Sequence, residues 1–139
     1  MKVVDANILI YSVSQKDRHY EAAHQWLKSA LRGEETVGFP WVVLLAFVRI
    51  ATKPVFDTPL TVGQAFDVVE SWLAQPNAVL LEPSPRHVST LRGLLNQVGT
   101  AGNLTTDAHI AALALEHGAE VVTFDRDFAR FGVRHLIPG

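Results

Sequence analysis

Short apolar segments recur along this chain, and each is followed by a longer segment whose apolar residues repeat at three and four positions. Lys2 to Val4, Thr36 to Phe39, Ala78 to Leu81 and Glu120 to Phe124 read as strands, and residues 133–137 fit a fifth. Strands alternating with helices predict an α/β fold, with a parallel sheet of four or five strands between two helical layers. In such sheets, ligands bind outside the carboxyl ends of the strands.

The helices are marked by their own signals. Ile8 to Ser14 fits a turn or two of helix. From Arg18 to Arg32 the residues Tyr20, Ala23, Trp26, Leu27, Ala30 and Leu31 trace one apolar face, and Gly33 ends it. Pro40 opens a helix over Trp41 to Thr52 that is apolar nearly all round and therefore buried. Thr61 caps a helix to Ala74, and Pro85 to Val98 forms the next. Gly99 to Asn103 reads as a mobile loop. Thr105 or Thr106 caps the following helix, which runs to His117 and stops at Gly118. Trp26, Trp41 and Trp72 fall at helical core positions, which favours packing over base stacking.

Composition excludes several classes. The chain has 139 residues, 48% of them hydrophobic and 19% charged, enough to bury the core of a single domain spanning residues 1–139. There is no Cys, so there is neither a disulfide frame nor a thiolate metal site. No N-terminal segment has the makeup of a secretion signal. The longest apolar run, Trp41 to Val48, is far short of the ~20 residues that span a bilayer. A cytoplasmic protein with no membrane contact is expected. The net charge of −2 lacks the basic excess of many nucleic-acid binders, although it says nothing about how charge is distributed.

Carboxylates stand where such a sheet binds ligands. Asp5 interrupts the apolar opening of MKVVDANILIYSV at the end of the first strand, and Asp125 and Asp127 follow the fourth in TFDRDF. Asp107 lies in the first turn of the helix within LTTDAHIAALALEHG. Each has an ordinary explanation. Asp5 could cap the helix at Ile8, Asp107 could complement a helix dipole for ~0.3–1 kcal/mol, and Asp125 and Asp127 could be turn residues. Their convergence favours another reading. Several carboxylates at one sheet edge repel and gain protons unless a cation intervenes. Oxygen-only donors suit Mg²⁺ or Mn²⁺, which can activate water for attack at phosphorus.

Three stretches, VVDANILIYSV, PWVVLLAFVRIAT and NLTTDAHIAALALEHGAEVVTFDRDFARF, together resemble the PIN-domain ribonucleases. They are most similar to the VapC-type toxins of bacterial toxin–antitoxin pairs. The resemblance covers essentially the whole chain and implies a PIN-like three-layer sandwich. It implies a metal-dependent endoribonuclease acting on structured RNA such as tRNA or rRNA, a neutralising antitoxin and a homodimer. Asp5, Asp107 and Asp125 match the family's catalytic and metal-binding acids, and Asp127 an additional acid found nearby in many members. Asn7 and Thr123 match small polar residues that hold those acids or the metal's waters by hydrogen bonds. The family generally carries a Glu three residues before Arg49, and this chain has Ala46 there.

Other candidates have bland alternatives. His109 could be a general base or a packed or surface histidine, and the packed or surface reading is preferred. Arg49 could contact RNA or antitoxin, or form a half-exposed ion pair. Arg126, Arg130 and Arg134 could form a basic rim or be solvated surface charge. Glu34 and Glu35 precede the second strand and are expected in solvent. A magnesium-dependent phosphatase would carry an acid at Asn7, and a receiver domain a lysine late in the chain, where the last is Lys53. A PIN-like module that binds RNA or protein without cutting is the remaining alternative.

Overall fold

The computed structural model describes residues 1–139. Five strands, β1 Lys2–Val4, β2 Val37–Pro40, β3 Ala78–Leu81, β4 Glu120–Val122 and β5 His135–Leu136, form one parallel sheet in the order β3-β2-β1-β4-β5. Six helices connect them: α1 Ala6–Val13, α2 Tyr20–Arg32, α3 Trp41–Ala51, α4 Val62–Leu73, α5 His87–Val98 and α6 Thr105–Glu116. The strand order runs outward from β1 to β3, then restarts on the other side of β1. Right-handed crossovers therefore carry α1 to α4 over one face and α5 and α6 over the other. The reversal makes the gap between the carboxyl ends of β1 and β4 the topological switch point.

Local chemistry sets the element ends. Thr61 and Gln64 form a capping box at α4, with hydrogen bonds of 3.1 and 2.9 Å between each side chain and the other's backbone amide. After α6, the Gly118 amide donates to the Leu115 carbonyl at 3.3 Å and the Ala119 amide to that of Ala114 at 2.8 Å, with Gly118 at φ 61°. This glycine turn leads directly into β4. Thr105 does not cap α6 but is its first residue, and its hydroxyl donates to the Gly102 carbonyl at 2.8 Å. Gly102–Leu104 already forms a 3₁₀ turn, which supplies the helix entry that a side chain would otherwise provide.

The core is one cluster built from β1, β2, β4 and the inner helix faces. Trp72 packs edge-on to Phe47 at 4.9 Å and lies 6.3 Å from Phe39. Trp26 is half-buried, and Trp41 departs from its expected core position at 47% exposed. α3 is not buried all round. It turns Trp41, Leu45 and Arg49, spaced one turn apart, to solvent. No helix is long and apolar enough to cross a membrane.

The absence of a side chain at Gly38 in β2 leaves room for the Leu81 side chain of β3. A Cβ there would lie 2.6 Å from Cδ1 of Leu81 and 2.9 Å from its Cγ, and Leu81 is itself buried. Gly38→Ala should therefore destabilise the protein by ~1–3 kcal/mol. Leu81→Ala should cost less in the Gly38→Ala background than in wild type, because it removes the clash, as thermal melts of both single variants and the double variant would show.

Candidate active site

Asp5 leaves β1 as the N-cap of α1, and its Oδ1 accepts the Ala6 amide at 2.7 Å. Its Oδ2 accepts from the Thr123 hydroxyl at 2.7 Å and from Asn7 Nδ2 at 3.2 Å. The Asn7 amide group also donates to Thr123 Oγ1 at 3.2 Å and accepts the Phe124 amide through Oδ1 at 3.2 Å. The ordinary reading of Asp5 as a cap is thus correct, and it coexists with a place in the acidic cluster. A carboxylate 7% exposed is held here by donors from α1 and from Thr123, directly after β4.

Asp125 follows β4. Its amide donates to Thr123 Oγ1 at 2.9 Å, and its Oδ1 accepts the Asp127 amide at 2.9 Å, capping a 3₁₀ segment over Arg126–Phe131. Asp107 comes in from the first turn of α6 and is half-buried. The cluster leaves its electrostatic mark. Burial raises the Asp5 pKa, the Thr123 and Ala6 bonds oppose it, and repulsion from Asp125 adds to it. Burial, followed by repulsion from Asp5, Asp125 and Asp127, pushes Asp107 from 3.8 up to about 6. No Lys, Arg or His ion pair neutralises any of the four.

A cleft of 350 Å³ opens over Asp5 and Asp107. Ala46 lines it, as expected from its register on α3, and so does the exposed Arg49, which makes no ion pair. Val42, Leu45, Thr106 and Ile110 also line it and were not foreseen. Val42, Leu45 and Ile110 lie one turn from Ala46, Arg49 or Asp107, and that spacing was the legible signal; Thr106 directly precedes Asp107. The arrangement is open: no three His, Cys, Asp or Glu side chains are gathered into a cage for one ion.

His109 is elsewhere. Two residues along a helix turn a side chain ~200° from Asp107, onto the opposite face of α6. There its Nδ1 lies 2.8 Å from His87 Nε2, and His87 Nδ1 bonds the Glu116 carboxylate. Glu116 also accepts the Ser84 amide at 2.7 Å. Burial works against the Glu116 carboxylate, but the Ser84 and His87 bonds outweigh it and hold its pKa below the ordinary glutamate range. The packed reading of His109 is the one the geometry favours, with a chain that fastens α5 to α6. Glu34 is exposed, as is Glu35, which pairs with the N-terminal amine and with Lys2, away from the cleft. Arg126, Arg130 and Arg134 are exposed and make no ion pair.

The model of the PIN domain matches residues 2–133. The chain belongs to the PIN-domain family. It is 52% identical to "Ribonuclease VapC37" of Mycobacterium tuberculosis over 96% of this chain and 94% of that one. It is 40% identical to "Ribonuclease VapC33" of the same species over 94% and 92%. The fold is shared with VapC20 of Mycobacterium tuberculosis, described as a sarcin-ricin loop cleaving toxin. That match has a TM-score of 0.75 and 15% identity, over 99% of this chain and 100% of that one. VapBC2 from Rickettsia felis, bound to a promoter DNA fragment, matches with a TM-score of 0.73 and 17% identity over 99% and 98%. The resemblance read from the motifs, and the parallel three-layer fold it implied, are both borne out. PIN-domain VapC nucleases generally depend on a divalent metal.

A raised acid costs stability when it ionises. For Asp107 that cost is absent below its ordinary value of 3.8 and complete above about 6. Metal-free protein should therefore lose stability as pH rises through that window. Asp107→Asn should remove roughly 1–2 kcal/mol of the loss, allowing for solvent screening of the half-exposed group. Asp5→Asn should bring no such gain, because in either orientation its amide N–H₂ would face a donor, the Ala6 amide or the Asn7 and Thr123 groups. Melting temperatures in EDTA from pH 4 to 8 check both, and equal responses would contradict the assignment.

Proposed function

We propose that this PIN-domain chain is the endoribonuclease toxin of a toxin–antitoxin pair, cutting structured RNA such as tRNA or rRNA with a divalent ion, Mg²⁺ or Mn²⁺. The observation that carries the reading is the convergence of Asp5, Asp107, Asp125 and Asp127 at the sheet's switch point with none of them in an ion pair. Close relatives named as ribonucleases support it, as do fold neighbours solved as toxin–antitoxin complexes.

The donor set fits a hydrated ion. Hard carboxylate oxygens that repel one another suit Mg²⁺, which keeps several waters and takes one or two carboxylates plus substrate phosphate oxygens. Asp5, Asp107 and Asp125 would hold it, with Asp127 beside them. When bound, such an ion makes water acidic enough to attack at neutral pH and offsets phosphate charge. Asn7 and Thr123 fix the orientation of Asp5, and the Thr123 hydroxyl also receives the Asp125 amide, so one side chain ties two acids to one geometry. Arg49 borders the cleft as the free cation for a phosphate or an antitoxin carboxylate. A cytoplasmic homodimer neutralised by a protein antitoxin completes the proposal.

Cleavage of host RNA should require Mg²⁺ or Mn²⁺ and stop in EDTA. Asp5→Asn, Asp107→Asn and Asp125→Asn should each abolish it, Asp127→Asn should weaken it less, and Asn7→Ala should slow it ~10–100-fold. Cutting that persists in EDTA would refute the metal mechanism.

Ala46 favours a second reading, a PIN module that binds RNA or protein without cutting, because the cleft lacks the family's glutamate. Ala46→Glu should tighten Mn²⁺ binding and lower metal-free stability, since a further carboxylate joins the cluster. Calorimetric titration of wild type and variant decides it. Unchanged affinity in a folded variant would remove Ala46 from the ion's surroundings.

A further inference from the structure

We propose that Tyr11, His19 and Phe124 form a platform on which an unpaired base of the RNA stacks beside the scissile phosphate. This rests on the ribonuclease reading above and deepens it. The three rings form a closed triangle. His19 stacks on Phe124 with centroids 4.4 Å apart and 27° between planes, while Tyr11 lies 5.2 Å from His19 and 5.7 Å from Phe124. The core rings Phe39, Phe47 and Trp72 are buried, but all three members of this trio are half-exposed.

Chain neighbours and one backbone bond place the trio next to the acids. Phe124 sits between Thr123 and Asp125, and its amide donates to Asn7 Oδ1 at 3.2 Å. Tyr11 lies one helical turn after Asn7, on the same face of α1, with ~5–6 Å between such Cβ atoms. A nucleotide whose phosphate is held at the acids thus has its neighbour's base within reach of the rings. The platform's polar atoms are unspent: neither the His19 ring nor the Tyr11 hydroxyl has a protein hydrogen-bond partner, although the His19 amide bonds to Asp17 at 2.8 Å. They can meet the edge of a base whose face lies on a neighbouring ring. Arg18, next to His19, and Arg126, two residues after Phe124, are exposed and in no ion pair, which suits phosphates on either side. Aromatic faces flanked by free cations are the recognition chemistry of unstacked RNA.

The test uses short single-stranded RNAs carrying 2-aminopurine at successive positions, mixed with the protein in Ca²⁺, a hard cation that carboxylates take in place of Mg²⁺, with the RNA checked by gel to be intact. Quenching at one position reports stacking, and anisotropy reports binding. Wild type and Phe124→Tyr should quench alike. Phe124→Leu and His19→Leu, which keep apolar volume but remove the ring, should lose the quenching and bind about tenfold more weakly. His19 makes no side-chain cap to α2, so its replacement leaves that helix's capping unchanged. Melting curves identify any variant that fails to fold, and the His19 variant then carries the test. RNA bound with quenching and affinity unchanged in both folded Leu variants would overturn the platform and leave the ribonuclease reading standing. No binding by wild type, together with no cleavage in Mg²⁺ or Mn²⁺, would remove both.

Discussion

Asp5 puts a carboxylate at the end of a central strand with 7% of its surface left to solvent, and that burial has to be compensated locally. The compensation comes from two segments far apart in sequence. The Ala6 amide and the Asn7 side chain both belong to the helix that Asp5 itself starts, and Thr123 directly follows β4. Because Thr123 is fully buried and also receives the Asp125 amide, the bond that satisfies Asp5 joins the two strands flanking the switch point. Asn7 extends the tie to the Phe124 backbone. Fold and site therefore share one network.

That network satisfies hydrogen bonds but does not remove charge. Asp107 approaches from α6, a helix otherwise lined by buried alanines and branched residues, and its raised pKa records the resulting repulsion. Packing of α6 supplies the stability that holds this unfavourable charge in place. The His87–His109–Glu116 chain works on the opposite face of the same helix, fixing it to α5 through groups that are themselves satisfied. A helix clamped on one side and electrostatically strained on the other agrees with the general rule that local conflict gathers at functional sites.

Much of this was legible because it is local. Strand–helix alternation, the Thr61 box and the Gly118 stop all depend on neighbours within a few residues, and β3 occupies the span its apolar run indicated. The positions of Asp5, Asp107 and Asp125 followed from strand ends and the start of a helix, and that of Ala46 from the family resemblance. What escaped depends on distant partners. Phe124 reads as a strand residue, yet the ladder ends at Val122 and the Phe124 amide turns to Asn7. Thr105 has the residue type of a cap, but a preceding 3₁₀ turn had already taken that role. Trp41 looks like core because every neighbour is apolar, and only the position of the cleft shows which face of α3 stays outside. His87 and Glu116 are 29 residues apart, and no local pattern joins them.

Ala46 shows how the site balances charge against fold. Pairwise repulsion grows faster than the number of acids sharing a cleft, so the last carboxylate added to a cluster costs most when no cation is present. Here the α3 wall contributes Val42, Leu45 and Ala46 instead, with Arg49 one turn beyond Leu45. The wall is apolar where it meets the acids and cationic at its rim. Such a cleft repels its own acids less when empty. It also leaves part of any bound ion's coordination to water or to phosphate oxygens, which Mg²⁺ tolerates because it sheds its waters reluctantly. Under the proposed metal mechanism the substrate would supply what the protein omits, and affinity for the ion would rise when RNA is present, since each ligand would complete the binding site of the other.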